Sequence, residues 1–133
     1  MNDLQRVAPP ELGTPHGFSH AVVTDRRRTV FLAGQTALDA DGRILGEDVV
    51  AQFERALSNL LTALHAAGGS GRDLASVTIY IVDVDDYLAH AREIGAVWRR
   101  LVGTDYPAMA GIGVSRLWDR EALVELQGVA ALD

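Results

Sequence analysis

The chain has 133 residues, of which 48% are hydrophobic and 23% charged, and this composition predicts one globular domain. A net charge of −6 argues against a broad nucleic-acid surface, and the lack of cysteine excludes disulfides, thiolate nucleophiles and Cys-ligated metals. No apolar run is long enough to span a membrane and no secretory signal begins the chain, so we expect a cytoplasmic protein without a membrane partner.

The N-terminal part of the chain predicts a loose arm followed by a β-hairpin. Residues 1–15 contain three prolines and no clear periodicity, which indicates an arm that precedes a single domain over residues 16–133. Apolar and β-branched residues at 18–24 and 29–33 predict two strands. The charged residues 25–28 between them include three consecutive arginines, which we interpret as a hairpin tip that discourages edge pairing rather than as an RNA-binding patch.

A strong amphipathic helix is predicted after the turn at residues 39–43. Asp48 is the candidate N-cap, because its carboxylate can accept a hydrogen bond from a free backbone N–H of the first turn. Apolar residues then recur at three- and four-residue spacing as far as Leu64 and form one continuous stripe. Gly68 and Gly69 predict where the helix ends.

The second half of the chain predicts another helix and three strands. Asp85 or Asp86 is the expected cap of the helix, which runs to about Leu101. Arg99 and Arg100 lie in its last turn, where cations suit the helix dipole. The strands are predicted over residues 74–82, 108–115 and 122–131.

The predicted order is β-β-α-β-α-β-β, which indicates an α/β (α+β) fold with a mixed sheet and both helices on one face. The two helices can cover only that face, so apolar residues on the other face would be exposed in a monomer. The exposed positions are Val22, Val30, Leu32, Val77, Ile79 and Ile112, or their alternating neighbours. An uncovered apolar sheet face predicts an oligomer.

Several segments of the chain resemble the RidA/YjgF family of reactive-intermediate deaminases. They are FLAGQ at 31–35, AQFERALSNL at 51–60, LHAAG at 64–68, VTIYIVD at 77–83 leading into Asp86-Tyr87, YPA at 106–108 and LVELQGVA at 123–130. The resemblance covers nearly the whole chain. It implies a chorismate-mutase-like homotrimer with a ligand cleft between adjacent subunits.

The resemblance also implies a chemistry. Family members hydrolyse enamines and imines produced by pyridoxal-phosphate enzymes, and release ammonia and a keto acid. An arginine after the Pro-Ala pair holds the substrate carboxylate, since a guanidinium matches a carboxylate bidentately. A glutamate on the last strand helps to position water. The predicted partner is therefore a small-molecule ligand.

This sequence departs from the family pattern at each polar position. Met109 stands at the arginine site, and Gln127 aligns with the glutamate site. Three further positions have lost a polar group, namely Phe18, Ala33 and Ala91. The residues that remain are Gly34, Gln35, Tyr106 and Pro107. A cleft without a cation has little to hold a carboxylate, so the standard amino-acid-derived imine is not the expected substrate.

The candidate site residues each allow two interpretations. Met109 either lines an apolar ligand slot or fills a subunit contact. Gln127 either orients a water or makes a structural hydrogen bond, and Glu125, two residues earlier on the same strand face, either supplies the missing acid or is a solvated strand residue. Arg116 and Trp118, between the last two strands, either meet the ligand or belong to an ordinary surface loop. Since His16 and His20 lack a third ligand, we expect no metal site, and no cofactor is expected.

Three functions follow from the sequence. The leading hypothesis is a divergent RidA-like protein that binds or processes an apolar metabolite, with the imine-hydrolysis machinery lost or rebuilt and with Glu125 as the proton-transfer candidate. A second hypothesis is a non-catalytic binding or regulatory trimer. The third is a deaminase that retains the ordinary activity.

Overall fold

The main sheet of the molecule has the strand order β3-β6-β4-β5, in a computed structural model that describes residues 3–133. Its elements are β1 (Gln5–Val7), β2 (Ala21–Val23), β3 (Arg28–Gln35), α1 (Val49–Ala66), β4 (Leu74–Ile81), α2 (Val84–Ala89), α3 (Ala91–Leu101), β5 (Ala108–Gly113) and β6 (Val124–Leu132). Strands β4 and β5 are parallel, and the other pairs are antiparallel. The predicted mixed α+β fold is confirmed.

Helix α1 forms as predicted and supplies most of the core. The Asp48 carboxylate accepts a hydrogen bond from the Ala51 backbone N–H at 2.8 Å, so the predicted cap is confirmed. The apolar stripe from Val49 to Leu64 is buried against β3 and β6. Gly68 takes the positive φ of 96° that ends the helix, and its neighbour Gly69 donates to the Leu64 carbonyl at 3.0 Å.

The second predicted helix is in fact two helices, α2 and α3, that meet at His90. The cap is Asp83, which accepts from the Asp86 backbone N–H at 3.0 Å, so the expected cap at Asp85 or Asp86 is wrong. His90 Nδ1 lies 2.9 Å from the Asp86 carbonyl oxygen and takes the acceptor that the His90 backbone N–H would use in a continuous helix. That backbone N–H bonds to the Tyr87 carbonyl instead, and the helix breaks.

The predicted hairpin between the first two strands is wrong. Strand β2 pairs antiparallel with β1, inside the segment predicted to be a loose arm, whereas β3 pairs with β6. The prediction of a loose arm is therefore wrong for Gln5–Val7; residues 1 and 2 of that arm lie outside the described residues. Arg6 of β1 donates to the Tyr106 carbonyl at 3.1 Å, which fixes the segment to the start of β5.

The segment from Ser19 to Arg26, which contains β2, follows the end of the main sheet. Ser19 donates from its backbone N–H to the Pro107 carbonyl at 2.9 Å, beside β5. Arg26 then donates to Asp73 Oδ1 at 2.6 Å and to the Ala131 carbonyl at 3.0 Å, beside β4 and β6. Arg26 is thus a half-buried anchor and not part of a charged hairpin tip.

On the uncovered face of the main sheet, the structure selects for β3 and β4 the second of the two residue sets that the sequence left open, the alternating neighbours. Leu32, Val77 and Ile79 are buried under the helices, and Val30 packs against the same core. The face that the helices leave uncovered, here called the open face, carries their alternating neighbours. These include Phe31, Thr78, Tyr80, Glu125, Gln127 and Val129. Phe31 is 81% exposed.

Over the described residues, no helix is long and apolar enough to cross a membrane.

Candidate functional site

A cavity of about 420 Å³ lies between helices α2 and α3 and the strands β4 and β5. Its walls are mostly hydrocarbon and aromatic, with Ile79 and Ile81 from β4 and Phe53 from α1 at its base. A volume of this size suits a small organic ligand. The cavity opens on the helix side of the sheet.

Four of the predicted site residues meet in this cavity. Phe18, Ala91, Tyr106 and Met109 all line it, and we call them the cavity group. The hydrogen bonds of Ser19 to the carbonyls of residues 106 and 107 place Phe18 beside the start of β5. Pro107 is buried behind this wall. These four positions lie together in the structure, although they are far apart along the chain.

Helix α3 presents small residues and one cation to the cavity. Ala91, Gly95 and Arg99 recur at a spacing of four, so they lie on one face of the helix, and all three line the cavity. Among the described lining residues, Arg99 has the one charged side chain. The interpretation of Arg99 as a helix-dipole cation missed this position. The four-residue spacing from Ala91 is the signal that could have found it.

Apart from Arg99, the cavity has neutral hydrogen-bond donors in Tyr87 and Trp98. Burial raises the pKa of Tyr87 to about 12, so its phenol stays protonated at physiological pH. Trp98 stacks on Tyr106 with ring centroids 6.5 Å apart, and its buried indole N–H has no hydrogen-bond acceptor among residues 3–133. No carboxylate or imidazole belongs to the described residues that line the cavity. The cavity by itself can bind a ligand, but these walls provide no acid–base pair.

The predicted acid lies on the other side of the sheet. Glu125 and Gln127 are on the open face, where Tyr80 donates its hydroxyl proton to Gln127 Oε1 at 3.1 Å. The Glu125 carboxylate lies over Gly34, at which a Cβ atom would stand 2.5 Å from Glu125 Oε1. A side chain at Gly34 would displace that flexible carboxylate, so glycine allows Glu125 to lie close to β3.

We call Ala33, Gly34, Glu125 and Gln127 the open-face group. An irregularity in the pairing of β3 with β6 occurs at Ala33 and Gly34, which are both exposed. Gln35 follows it, partly buried and paired with Leu126. Within one chain, the sheet separates the open-face group from the cavity group. The structure therefore does not bring all the predicted site residues into one pocket.

Arg116 and Trp118 lie outside the cavity. The Arg116 guanidinium donates to the carbonyls of Leu117 at 3.0 Å and of Trp118 at 3.1 Å, so it closes its own loop. Trp118 is 91% exposed. The loop adjoins the end of β3, because Thr36 Oγ1 donates to the Asp119 carboxylate at 3.3 Å.

The described residues hold no group of three His, Asp or Glu side chains that could bind a metal ion. His20 Nε2 instead makes a 3.1 Å hydrogen bond with the Gly13 carbonyl, and its ring packs edge-on against Phe18. The histidine therefore supports the segment that carries Phe18.

Comparison with known proteins shows similarity along almost the entire chain. A family model described as endoribonuclease L-PSP matches residues 10–132. A RutC family protein of Pyrococcus abyssi is 31% identical over 102 residues, which cover 76% of this chain and 76% of that protein. A 2-iminobutanoate/2-iminopropanoate deaminase of Capra hircus is 29% identical over 124 residues, which cover 92% of this chain and 83% of that protein.

A solved structure has nearly the same backbone. YyfB of Yersinia pestis, described as a member of the conserved Rid protein family, matches with a TM-score of 0.88 and 33% sequence identity. The match covers 98% of this chain and 99% of that one. The similarity thus includes both the cavity group and the open-face group.

Proposed function

The chain belongs to the endoribonuclease L-PSP family, which includes the RidA proteins, and on that premise we propose that it is a divergent member that binds or processes a small metabolite more apolar than an amino-acid-derived imine. The observation that carries the proposal is Met109. It follows the Tyr106-Pro107-Ala108 segment and lines a largely hydrocarbon cavity at the position where the family resemblance implies an arginine.

The proposed assembly is a homotrimer, with a complete site formed where two copies meet. Two observations support it. The open face is uncovered in a single copy and carries the exposed Phe31. The Glu125 carboxylate lies on the face opposite to the cavity, so an acid from one copy could reach the cavity group only across a boundary between copies.

If the protein is an enzyme, Glu125 is the proposed proton-transfer residue. In the hydrolysis of a C=N bond, water adds to the carbon, its proton passes through the carboxylate to the nitrogen, and ammonia leaves as the carbonyl forms. Gln127 can orient that water but cannot relay a proton. Because the described lining residues of the cavity include no carboxylate or imidazole, a purely binding or regulatory function is the second candidate.

Retained deaminase activity is the third candidate, supported by the name of the Capra hircus relative. A nucleic-acid substrate is disfavoured by the net charge of −6 and by the use of Arg26 as an internal anchor. We propose a cytoplasmic protein that needs no cofactor.

The first experiment separates the deaminase from the other candidates. 2-Aminoacrylate is generated in a coupled assay, and ammonia release is followed with and without the protein. We expect no acceleration, because Met109 cannot hold the substrate carboxylate at the β5 position where the family resemblance implies an arginine. Clear acceleration that is lost in Glu125→Gln would contradict the proposed divergence and favour the third candidate.

The second experiment tests the cavity itself. Small apolar molecules are screened by thermal shift with the wild type and with Ala91→Trp, which fills the cavity. We expect ligands that stabilise the wild type and not the variant, because a bound ligand stabilises only the folded state. Glu125→Gln should leave this binding intact and abolish any turnover. Equal shifts in the wild type and Ala91→Trp would place the binding elsewhere.

A further inference from the structure

We propose that Arg99 is the anion-recognising residue of the cavity, and that the ligand is therefore a small hydrocarbon body carrying one carboxylate. This inference rests on the proposed function and specifies its ligand. The carboxylate would be held by a helix, α3, and not by the strand β5 on which Met109 lies. Arg99 becomes a specificity-determining residue of the site.

The course of helix α3 brings the Arg99 side chain to the cavity. Side chains on a helix lean toward its N-terminus, so that of Arg99 lies over the residue four positions earlier. That residue is Gly95, and Arg99 Nη1 lies 3.2 Å from the point where a Gly95 Cβ would stand. Ala91, one further turn back, is also small and lines the same wall. The guanidinium can therefore lie along a groove of the helix that leads into the cavity.

Arg99 has no internal partner among residues 3–133. It makes no hydrogen bond and no ion pair there, and the residues three and four positions away on α3 are Ala96 and Gly95, which cannot pair with it. The next residue, Arg100, forms an ion pair with Glu54 of α1. Both arginines suit the helix dipole equally, so the dipole does not account for the position of Arg99 beside the cavity.

The remaining walls define the other end of the ligand. Phe18, Met109 and Ile79 offer only apolar contact, so they suit a short alkyl chain or one ring. At the Arg99 end a carboxylate would accept a charge-assisted hydrogen bond from the guanidinium, which is stronger than a hydrogen bond between neutral groups. Hydrocarbon at one end and a guanidinium at the other match a simple apolar acid.

The experiment compares acids with their neutral amides. Binding of 4-methylpentanoate and phenylacetate, and of the two corresponding amides, is measured by calorimetry with the wild type, Arg99→Gln and Arg100→Gln. We expect the wild type and Arg100→Gln to bind each acid at least about tenfold more tightly than its amide, which is the effect of one charge-assisted hydrogen-bond pair. Arg99→Gln should bind acid and amide alike, with its affinity for the amides unchanged.

The outcomes separate this inference from the proposed function. Acids and amides that bind the wild type equally, with Ala91→Trp abolishing both, would overturn the role of Arg99 and leave the apolar cavity site standing. A preference for acids that Arg99→Gln retains would also overturn it. Failure of all four probes to bind the wild type would overturn both proposals. Loss of the preference in Arg100→Gln as well would indicate a general surface charge effect and would likewise overturn the inference.

Discussion

Tyr87 and Arg99, two ionisable residues of the cavity, differ in burial and in charge. Burial holds Tyr87 in its neutral form, because its pKa is raised to about 12, and the phenol is a hydrogen-bond donor throughout the physiological range. Arg99 also lines the cavity, with a cationic guanidinium, and it is exposed. A ligand therefore meets a neutral donor and a cation on adjacent helices.

Tyr87 predicts a loss of stability at alkaline pH. In the unfolded chain a tyrosine ionises near pH 10, whereas the folded protein keeps the proton until about pH 12. The stabilisation is therefore fully present below pH 10 and is lost as the pH rises toward 12. We expect the unfolding free energy of the wild type to fall by about 2 kcal/mol relative to Tyr87→Phe over this interval.

The measurement between pH 10 and about 12 is simplified in this chain because it has no lysine that would titrate in the same range. Its twelve Lys and Arg residues are all arginine. Urea unfolding of both proteins between about pH 9 and 12 gives the comparison, and the other two tyrosines are common to both. A difference between wild type and variant that stays constant across this range would contradict the prediction.

The candidate site residues chosen from the sequence include the cavity group but not Arg99. Phe18, Tyr106 and Met109 could be identified from the family resemblance, since each has a counterpart position in the pattern. Arg99 has none, and a cation near a helix end has an adequate local explanation. Only the packing of α3 against the sheet shows which side of the helix faces the cavity.

At the scale of single elements, strong periodicity was a reliable guide. Helix α1 and strands β4 and β6 lie close to their predicted positions, because an eighteen-residue amphipathic stripe with a cap and buried strands leave few alternatives. The break at His90 could not be predicted, since it depends on a ring nitrogen that takes the Asp86 carbonyl from the backbone.

The pairing of β2 depends on contacts that are remote in sequence. Two apolar segments joined by four charged residues favour a hairpin on local grounds. The observed segment around β2 instead follows the end of the sheet, because Ser19, just before β2, is bonded beside β5, and Arg26, just after β2, is bonded beside β4 and β6. Neither partner is evident from the local sequence.

We predict that Arg26 contributes much more to the stability of the fold than the adjacent Arg27. Its side chain is 10% exposed and donates to Asp73 and to the Ala131 carbonyl, whereas Arg27 is exposed. Arg26→Leu removes the donor of Asp73 Oδ1 and one donor of the Ala131 carbonyl, so we expect a loss of about 2 to 3 kcal/mol in unfolding free energy. Arg27→Leu removes the same charge and should change it by less than about 0.5 kcal/mol. Urea unfolding at neutral pH measures both, and equal losses would refute the anchoring role.

At the scale of the whole molecule, the open face combines apolar and polar residues. Phe31 lies opposite Val129 in the register of β3 and β6, while Tyr80, Glu125 and Gln127 lie further along the same face. If two copies meet through this face, apolar contact around Phe31 would form the buried centre of the interface. The polar residues would lie toward its rim, near the proposed site. The sequence predicted an uncovered face but not which residues it holds, because a shift of one position exchanges the two faces of a strand.

We predict that the proposed trimer depends on burial of the Phe31 ring. If three copies bury this ring, Phe31→Glu replaces about 2 kcal/mol of burial per copy with a desolvated charge. We expect the wild type to sediment as a trimer and Phe31→Glu to sediment as a single subunit. Thr62→Glu, which adds the same charge on the exposed side of α1, should remain trimeric. A wild type that sediments as a stable single subunit would contradict the proposed assembly.

The position of Glu125 and Met109 on opposite sides of one sheet has a genetic consequence. If each site draws its acid from one copy and its apolar walls from the next, a chain defective in one group and a chain defective in the other can compensate for each other. Hybrid assemblies made by co-expressing a Glu125→Gln chain with a cavity-filled Ala91→Trp chain would then contain some intact sites. Two variants that are each inactive alone would restore function when they are expressed together.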